Sequence, residues 1–156
     1  MHMWDMYSRK QSRVNRGTFG AELNNTLESS ESGMLFAGLM YEMVRGPASS
    51  QVLHEAVHCG GTPIGVHLVG DAHAVFSAVT AAEVKQPNEK SLLYAVRSLR
   101  DRLDSGAVKR LHRCDTRDML ADALTKGGIS RAEIIAAFAT GSWFMKVKEQ
   151  LHSWPS

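Results

Sequence analysis

Residues 54–58, HEAVH, carry two histidines and a glutamate at the spacing of a helical zinc site. On a helix, His54 and His58 would face the same way, and Glu55 could act as a general base on zinc-bound water. Such a site needs a third protein ligand, for which Glu83 is only a loose candidate. We therefore favour the simpler interpretation of polar residues on a short connecting helix, and keep a zinc metalloprotease as an alternative.

Asp71 follows a buried-strand pattern, residues 64–69, and precedes a helical pattern. An aspartate at such a junction is ordinarily a helix N-cap. The carboxyl end of a strand is also where α/β folds place catalytic groups. Position alone does not separate these two interpretations. The nearby His67 and His73 are interpreted as packed or hydrogen-bonded residues.

Asp122 lies in a short helical run, with Lys126 one turn further on. Taken alone, the pair predicts an exposed i,i+4 ion pair worth about 0.2–0.5 kcal/mol. Glu22 lies beside an apolar stripe in an earlier predicted helix, for which Thr18 is the expected N-cap. That stripe consists of Phe19, Leu23 and Leu27.

The densest group of basic residues lies near the start of the sequence, at Arg9, Lys10, Arg13 and Arg16. Cations on an edge strand discourage edge-to-edge pairing. They also contact nucleic-acid phosphates, which positions a backbone without reading its sequence. Both interpretations remain open from the residues alone.

The composition is that of a single globular domain of 156 residues, with 44% hydrophobic and 22% charged residues. A net charge of +2 permits a nucleic-acid partner without arguing for one. The two cysteines lack metal-binding spacing and are expected to be reduced thiols. No secretory signal or membrane-spanning run is apparent, so we expect an intracellular protein without a membrane partner.

Hydrophobic periodicity predicts alternating helices and strands. A strand suits residues 1–14. A helix follows from Thr18, weakens at 29–33, resumes as a buried segment over 34–44 and ends at Gly46-Pro47. The remaining expectations are a helix within 49–59, a strand at 64–69, helices after Asp71 and over 91–103, a strand at 107–114, and a last helix over 130–151 that is broken near Gly141.

Several separated blocks resemble the ribonuclease H domain of copia-type retrotransposon polyproteins. The most specific is ADALTKG at 121–127, which closes the block DTRDMLAD at 115–122. YSRKQ at 7–11 with TFGAE at 18–22, and VGDA at 69–72, resemble two earlier family blocks. The similarity spans roughly residues 4–130. It implies that Glu22, Asp71 and Asp122 are metal-binding carboxylates, and that Arg9, Lys10 and Arg13 lie near nucleic acid.

The resemblance implies an α/β fold with a ribonuclease H-like mixed sheet and flanking helices. It places residue 1 at the family's third strand, so the first two strands and the first catalytic aspartate have no counterpart. Asp5 is not assigned that role. The expected organisation is a partial ribonuclease H-like domain over 1–128 and a C-terminal helical extension over 129–156.

The family hydrolyses RNA in RNA–DNA hybrids with two Mg²⁺ ions held by clustered carboxylates. Three carboxylates imply at most one bound ion here, and impaired activity. The expected partners are an RNA–DNA hybrid or other nucleic acid, and the missing N-terminal half of a polyprotein. The first alternative is a non-enzymatic remnant that binds nucleic acid or has a structural role; the second is the HExxH zinc metalloprotease.

Overall fold

The structure, a computed structural model, describes residues 17–83, 90–119, 131–142 and 150–152. Two helices precede each of the first two strands. In order, the elements are α1 (Thr18–Arg45), α2 (Ser50–His58), β1 (Val66–Gly70), α3 (His73–Thr80), α4 (Ser91–Asp104), β2 (Val108–Arg113), a 3₁₀ turn (Thr116–Asp118), α5 (Arg131–Thr140) and β3 (Gln150–His152).

The three strands form one mixed sheet in the order β1-β2-β3. β1 pairs with β2 in parallel, and β2 pairs with β3 in the antiparallel direction. Two helices, α3 and α4, connect the parallel strands, as a parallel crossover requires. The α/β class predicted from the sequence is confirmed.

β2 contains one more residue than its pairing with β1 uses. Val66 lies opposite Val108, whereas the next residue of β1, His67, lies opposite Arg110. The pairing therefore skips Lys109. Val108 and Leu111 are an odd number of positions apart and would face opposite sides of a regular strand. The bulge allows both side chains to be buried on the same face.

The core lies between the sheet and helices α1, α3 and α4. α4 buries Val96, Leu99 and Leu103 at helical spacing, as its sequence predicts. α3 contributes Val75 and Val79, and α1 contributes Leu23, which has no exposed surface. The sheet adds Val66, Leu68, Val108 and Leu111. This packing holds the carboxyl end of β1 close to α1.

α1 is continuous across residues 29–33, where the sequence predicted a weakening. Ser30 is fully buried, and its hydroxyl donates to the Leu27 carbonyl oxygen at 2.6 Å. Arg102 of α4 donates to the Ser30 hydroxyl and pairs with Glu31 at 3.0 Å. At Gly33 an added Cβ would lie 2.8 Å from Val66 Cγ1. Tertiary contacts thus compensate for the low helix propensity of this stretch.

The prediction that residues 34–44 are a buried segment is wrong for the residues on the outer side of α1. Met34 and Ala37 are buried, but Leu35 is 68% exposed and Met43 is 72% exposed. α1 packs one side against β1, α4 and α2, and its outer side carries these apolar residues. The predicted stop is confirmed, because α1 ends at Arg45 and Gly46 has a φ of 89°.

The last predicted helix is shorter than expected. α5 ends at Thr140, and Gly141 adopts a φ of 68°, which turns the chain out of the helix. Residues 150–152, expected to be helical, form strand β3 instead. The strand predicted for residues 1–14 lies outside the described residues. Across the described part of the chain, no helix has the length and apolarity to cross a membrane.

Candidate functional site

A cavity of about 200 Å³ lies where α1, the end of β1 and the start of α3 meet. Both Glu22 and Asp71 line it. The two residues are far apart in sequence, and the packing of α1 on β1 brings them to one place. Other residues of its wall are Asn25, Thr26 and Ser29 of α1, Phe76 of α3, His112 of β2 and Met119.

Asp71 follows the last residue of β1 and is half-buried. Its Oδ2 accepts a hydrogen bond from the Thr116 hydroxyl at 3.1 Å. The N-cap of α3 is Ala72, which makes no side-chain capping bond. The N-cap interpretation of Asp71 is therefore wrong. Its carboxylate points toward the turn that follows β2, in a wall shared with Glu22.

Glu22 is exposed on α1, next to the apolar stripe predicted from the sequence. Leu23 is fully buried, and Phe19 and Leu27 pack against the core. The expected N-cap at Thr18 is wrong, because Thr18 is the first helical residue and Gly17 occupies the cap position. The stripe fixes the rotation of α1, and that rotation places Glu22 on the cavity wall.

The segment after β2 begins beside Asp71. The Cys114 N–H donates to the Gly70 carbonyl oxygen at 3.0 Å, which continues the parallel pairing one residue beyond β2. Cys114 is buried, and its thiol lies 3.5 Å from the Met119 sulfur. Burial, followed by the negative charge of Asp71, raises the pKa of the Cys114 thiol to about 11. The thiol is therefore protonated and unreactive at neutral pH.

Asp115 caps the 3₁₀ turn that contains Thr116. Its Oδ1 accepts from the backbone N–H of Arg117 at 3.0 Å and from Arg117 Nε at 2.8 Å. These hydrogen bonds lower the pKa of Asp115 to about 2. The closed turn fixes Thr116 in position to reach Asp71. Asp118, also in the turn, is 3% exposed, and it was not predicted from the sequence as a buried or site residue.

Of the residues at the candidate site, His112, Thr116 and Met119 are among those not predicted from the sequence. His112 contacts His67 across the strands, with His67 Nδ1 and His112 Nε2 3.2 Å apart. Partial burial, then the neighbouring His112 and Arg110, lower the pKa of His67. Regular alternation along β2 does not indicate the position of His112, because the bulge at Lys109 shifts the pattern by one residue.

The HEAVH segment forms α2, as predicted, and its two histidine rings stack with centroids 4.2 Å apart. His54 and His58 line a groove of about 460 Å³ between α1 and α2, away from the Glu22–Asp71 cavity. Partial desolvation, then His54 and Arg102, lower the pKa of His58. Within the described ranges, no three His, Cys, Asp or Glu residues form a metal-binding group, at this groove or at the cavity.

Asp122 lies outside the described residues, as do Arg9, Lys10 and Arg13. Their predicted roles stay predictions. The described chain reaches the cavity wall at Met119, three positions before Asp122. In comparisons with known proteins, no family model, curated protein or solved structure matches this chain.

Proposed function

We propose that this chain is a retrotransposon-derived ribonuclease H-like domain whose parental activity is metal-dependent hydrolysis of RNA in RNA–DNA hybrids. One observation carries the proposal: Glu22 and Asp71, matched to separate family blocks, line the same cavity. The cavity lies at the carboxyl end of a parallel strand, where α/β folds place catalytic groups.

The donor set of this cavity fits a hard divalent cation. Glu22 and Asp71 supply carboxylate oxygens, the ligand type that Mg²⁺ and Mn²⁺ prefer. In the proposed site, Asp122 is the third carboxylate. When bound, such a cation supplies charge stabilisation and an activated water for phosphodiester hydrolysis. With three of the family's four carboxylates matched, we propose binding of at most one ion and impaired cleavage.

The residues around the carboxylates have positioning roles in this proposal. Thr116 orients one oxygen of Asp71 through the 3.1 Å hydrogen bond and leaves Oδ1 available for a ligand.

Lys109 and Arg110 of β2 are exposed and present positive charge to solvent. Such cations contact phosphates regardless of sequence, and 2′-hydroxyl contacts distinguish RNA from DNA. Arg9, Lys10 and Arg13 are proposed to extend this contact.

Binding of Mn²⁺ tests the cavity directly. Paramagnetic Mn²⁺ at a substoichiometric level is expected to broaden the amide NMR signals of Gly70, Ala72 and Thr116 before others. D71N and E22Q should each reduce this broadening, whereas the exposed D104N on α4 should not. Unselective broadening, or the same pattern in D71N, contradicts the proposed cation site.

A cleavage assay then separates the enzyme from a non-enzymatic remnant. The substrate is an RNA–DNA hybrid labelled on the RNA strand, with Mg²⁺ present. Cleavage that D71N abolishes and D104N retains supports the enzyme. Hybrid binding without cleavage, unchanged in D71N, supports the nucleic-acid-binding remnant, which the exposed Lys109 and Arg110 favour. Absence of both binding and cleavage contradicts both functions.

The stacked imidazoles of His54 and His58 on α2 motivate a zinc metalloprotease as a further candidate function. It requires one tightly bound zinc after purification and loss of that zinc in H58A. Purified protein without zinc, or zinc content unchanged in H58A, excludes a protease site built on His54, Glu55 and His58.

A further inference from the structure

Two imidazoles from neighbouring strands meet on the sheet face that points away from the core. His67 lies opposite Arg110, and His112 lies opposite Val69, so the two histidines are diagonal neighbours. His67 Nδ1 and His112 Nε2 are 3.2 Å apart, and the rings are inclined by 22° with centroids 5.3 Å apart. His67 is exposed and His112 is half-buried.

We propose that His67 and His112 form a two-imidazole chelate site for a borderline divalent transition metal such as Zn²⁺, bridging β1 to β2. Zinc–nitrogen bonds are about 2.0–2.1 Å, so two nitrogens of a tetrahedral zinc site lie about 3.3–3.4 Å apart. The observed 3.2 Å separation already matches this value. In the proposed site, rotation of the rings about their side-chain bonds converges the two lone pairs on the metal.

The proton balance of this site is simple. In a neutral pair, one ring nitrogen donates its N–H to the lone pair of the other. On metal binding, the donating ring moves that proton to its other nitrogen through solvent. Both contacting nitrogens then hold lone pairs for the metal, and a neutral pair releases no net proton.

The site shares His112 with the wall of the Glu22–Asp71 cavity, but it differs from that cavity in chemistry and does not depend on the proposed function. Imidazole suits Zn²⁺, Cu²⁺ and Ni²⁺, whereas Mg²⁺ prefers oxygen ligands. Within the described ranges, no third His, Cys, Asp or Glu joins the pair. In the proposed site, water molecules fill the remaining coordination positions. Arg110, opposite His67, adds positive charge that lowers the affinity for any cation. We therefore propose moderate affinity and a preference for nitrogen-seeking metals.

Bridging two strands links metal binding to folding. The nitrogens are brought together only when β1 and β2 are paired, so the metal binds the folded chain preferentially and raises its melting temperature. β1 ends at Gly70, directly before Asp71. The bound metal would thus hold in place the strand that leads directly to Asp71 of the candidate site.

The experiment uses an H54A/H58A background, which removes the exposed histidine pair on α2. Zn²⁺ is titrated by calorimetry, and the melting temperature is measured with Zn²⁺ or Mg²⁺. We expect Zn²⁺ alone to raise the melting temperature. H67Q and H112Q should each lower the Zn²⁺ affinity about tenfold or more, because each leaves a single ligand and removes the chelate effect. H73Q, at an exposed position on α3, and D71N, at a half-buried one, should leave the affinity unchanged.

Unchanged Zn²⁺ affinity in both H67Q and H112Q overturns the proposal, as does loss of binding in D71N alone. Ring ¹⁵N NMR on the unsubstituted protein provides a test that needs no variant. The ring nitrogens of His67 and His112 should shift together as Zn²⁺ is added. Saturation with Zn²⁺ that leaves both rings unshifted also overturns it.

Discussion

The hydroxyl of Thr116 donates a 3.1 Å hydrogen bond to the carboxylate of Asp71. This bond joins the turn after β2 to the end of β1, at the carboxyl ends of two parallel strands. It connects two separate sequence blocks, one carrying Asp71 and the other leading to Asp122. The bond therefore makes the position of Asp71 depend on the turn after β2.

Thr116→Val removes the donor and preserves the shape of the side chain. Because Thr116 is exposed, the free energy of unfolding should fall by no more than about 1 kcal/mol. Mn²⁺ affinity at the cavity should fall about tenfold, since partners that orient metal ligands typically contribute that much. Calorimetric titration with Mn²⁺ measures the effect. Thr62→Val, which loses a hydroxyl bonded to the Ile64 carbonyl oxygen, is the matched control. Equal affinities in the two variants would contradict this role for Thr116.

Gly33→Ala tests the close approach of α1 to β1. The added Cβ would lie 2.8 Å from Val66 Cγ1, and overpacking of a core typically costs about 1–3 kcal/mol. Alanine also gains about 1 kcal/mol of helix propensity over glycine. We expect net destabilisation in the unsubstituted chain, measured by urea unfolding.

In a Val66→Ala background the obstructing methyl groups are absent, and the same Gly33→Ala change should become stabilising. This reversal of sign separates steric contact from backbone preference. Stabilisation by Gly33→Ala in both backgrounds would mean that α1 and β1 are not in close contact there.

The Asp115–Arg117 pair predicts a specific acid titration. The folded-state pKa of Asp115 is lowered from 3.8 to about 2, chiefly by hydrogen bonds from Arg117. Its contribution to folding is therefore complete above the unfolded pKa and is lost as the pH falls from about 4 to 2. Carboxyl ¹³C NMR should show Asp115 titrating near pH 2. Arg117→Gln should raise that midpoint toward 3.8, whereas the exposed Arg97→Gln on α4 should leave it unchanged.

The two cysteines should differ in alkylation. Cys59 is exposed, whereas Cys114 is 2% exposed and has a thiol pKa of about 11. At pH 8, iodoacetamide should modify Cys59 in the native protein and both residues in urea. Peptide mass spectrometry locates the label, and Cys59→Ser should leave the native protein almost unlabelled. Rapid native labelling of Cys114 would contradict its burial.

Local patterns predicted the local elements well. The spacing of Val96, Leu99 and Leu103 was sufficient to predict α4 and its buried face. Gly46-Pro47 marked the end of α1, because the chain there must leave the helix. In these cases the residues that predict the element are also the residues that cause it to form or to end.

Features that depend on distant contacts were predicted less well. Ser30 and Gly33 have low helix propensity, and α1 continues through them because Arg102 and Val66 pack there. Leu151 matched a helical pattern, but pairing with β2 makes it part of a strand. The shared cavity of Glu22 and Asp71 followed from the family resemblance, because spacing within the sequence does not show which distant carboxylates meet.

The bulge at Lys109 decides which chemistry the outer end of β2 presents. A regular strand starting from the buried Val108 would turn the imidazole of His112 toward the hydrocarbon interior and Leu111 toward water. Deletion of Lys109 would leave Leu111 facing the interior and His112 facing outward, because it removes only the residue that the pairing skips. Regular pairing of the strand at its full length would instead exchange the two side chains. A single unpaired residue therefore lets β2 bury two aliphatic side chains three positions apart and still present an imidazole on the opposite face.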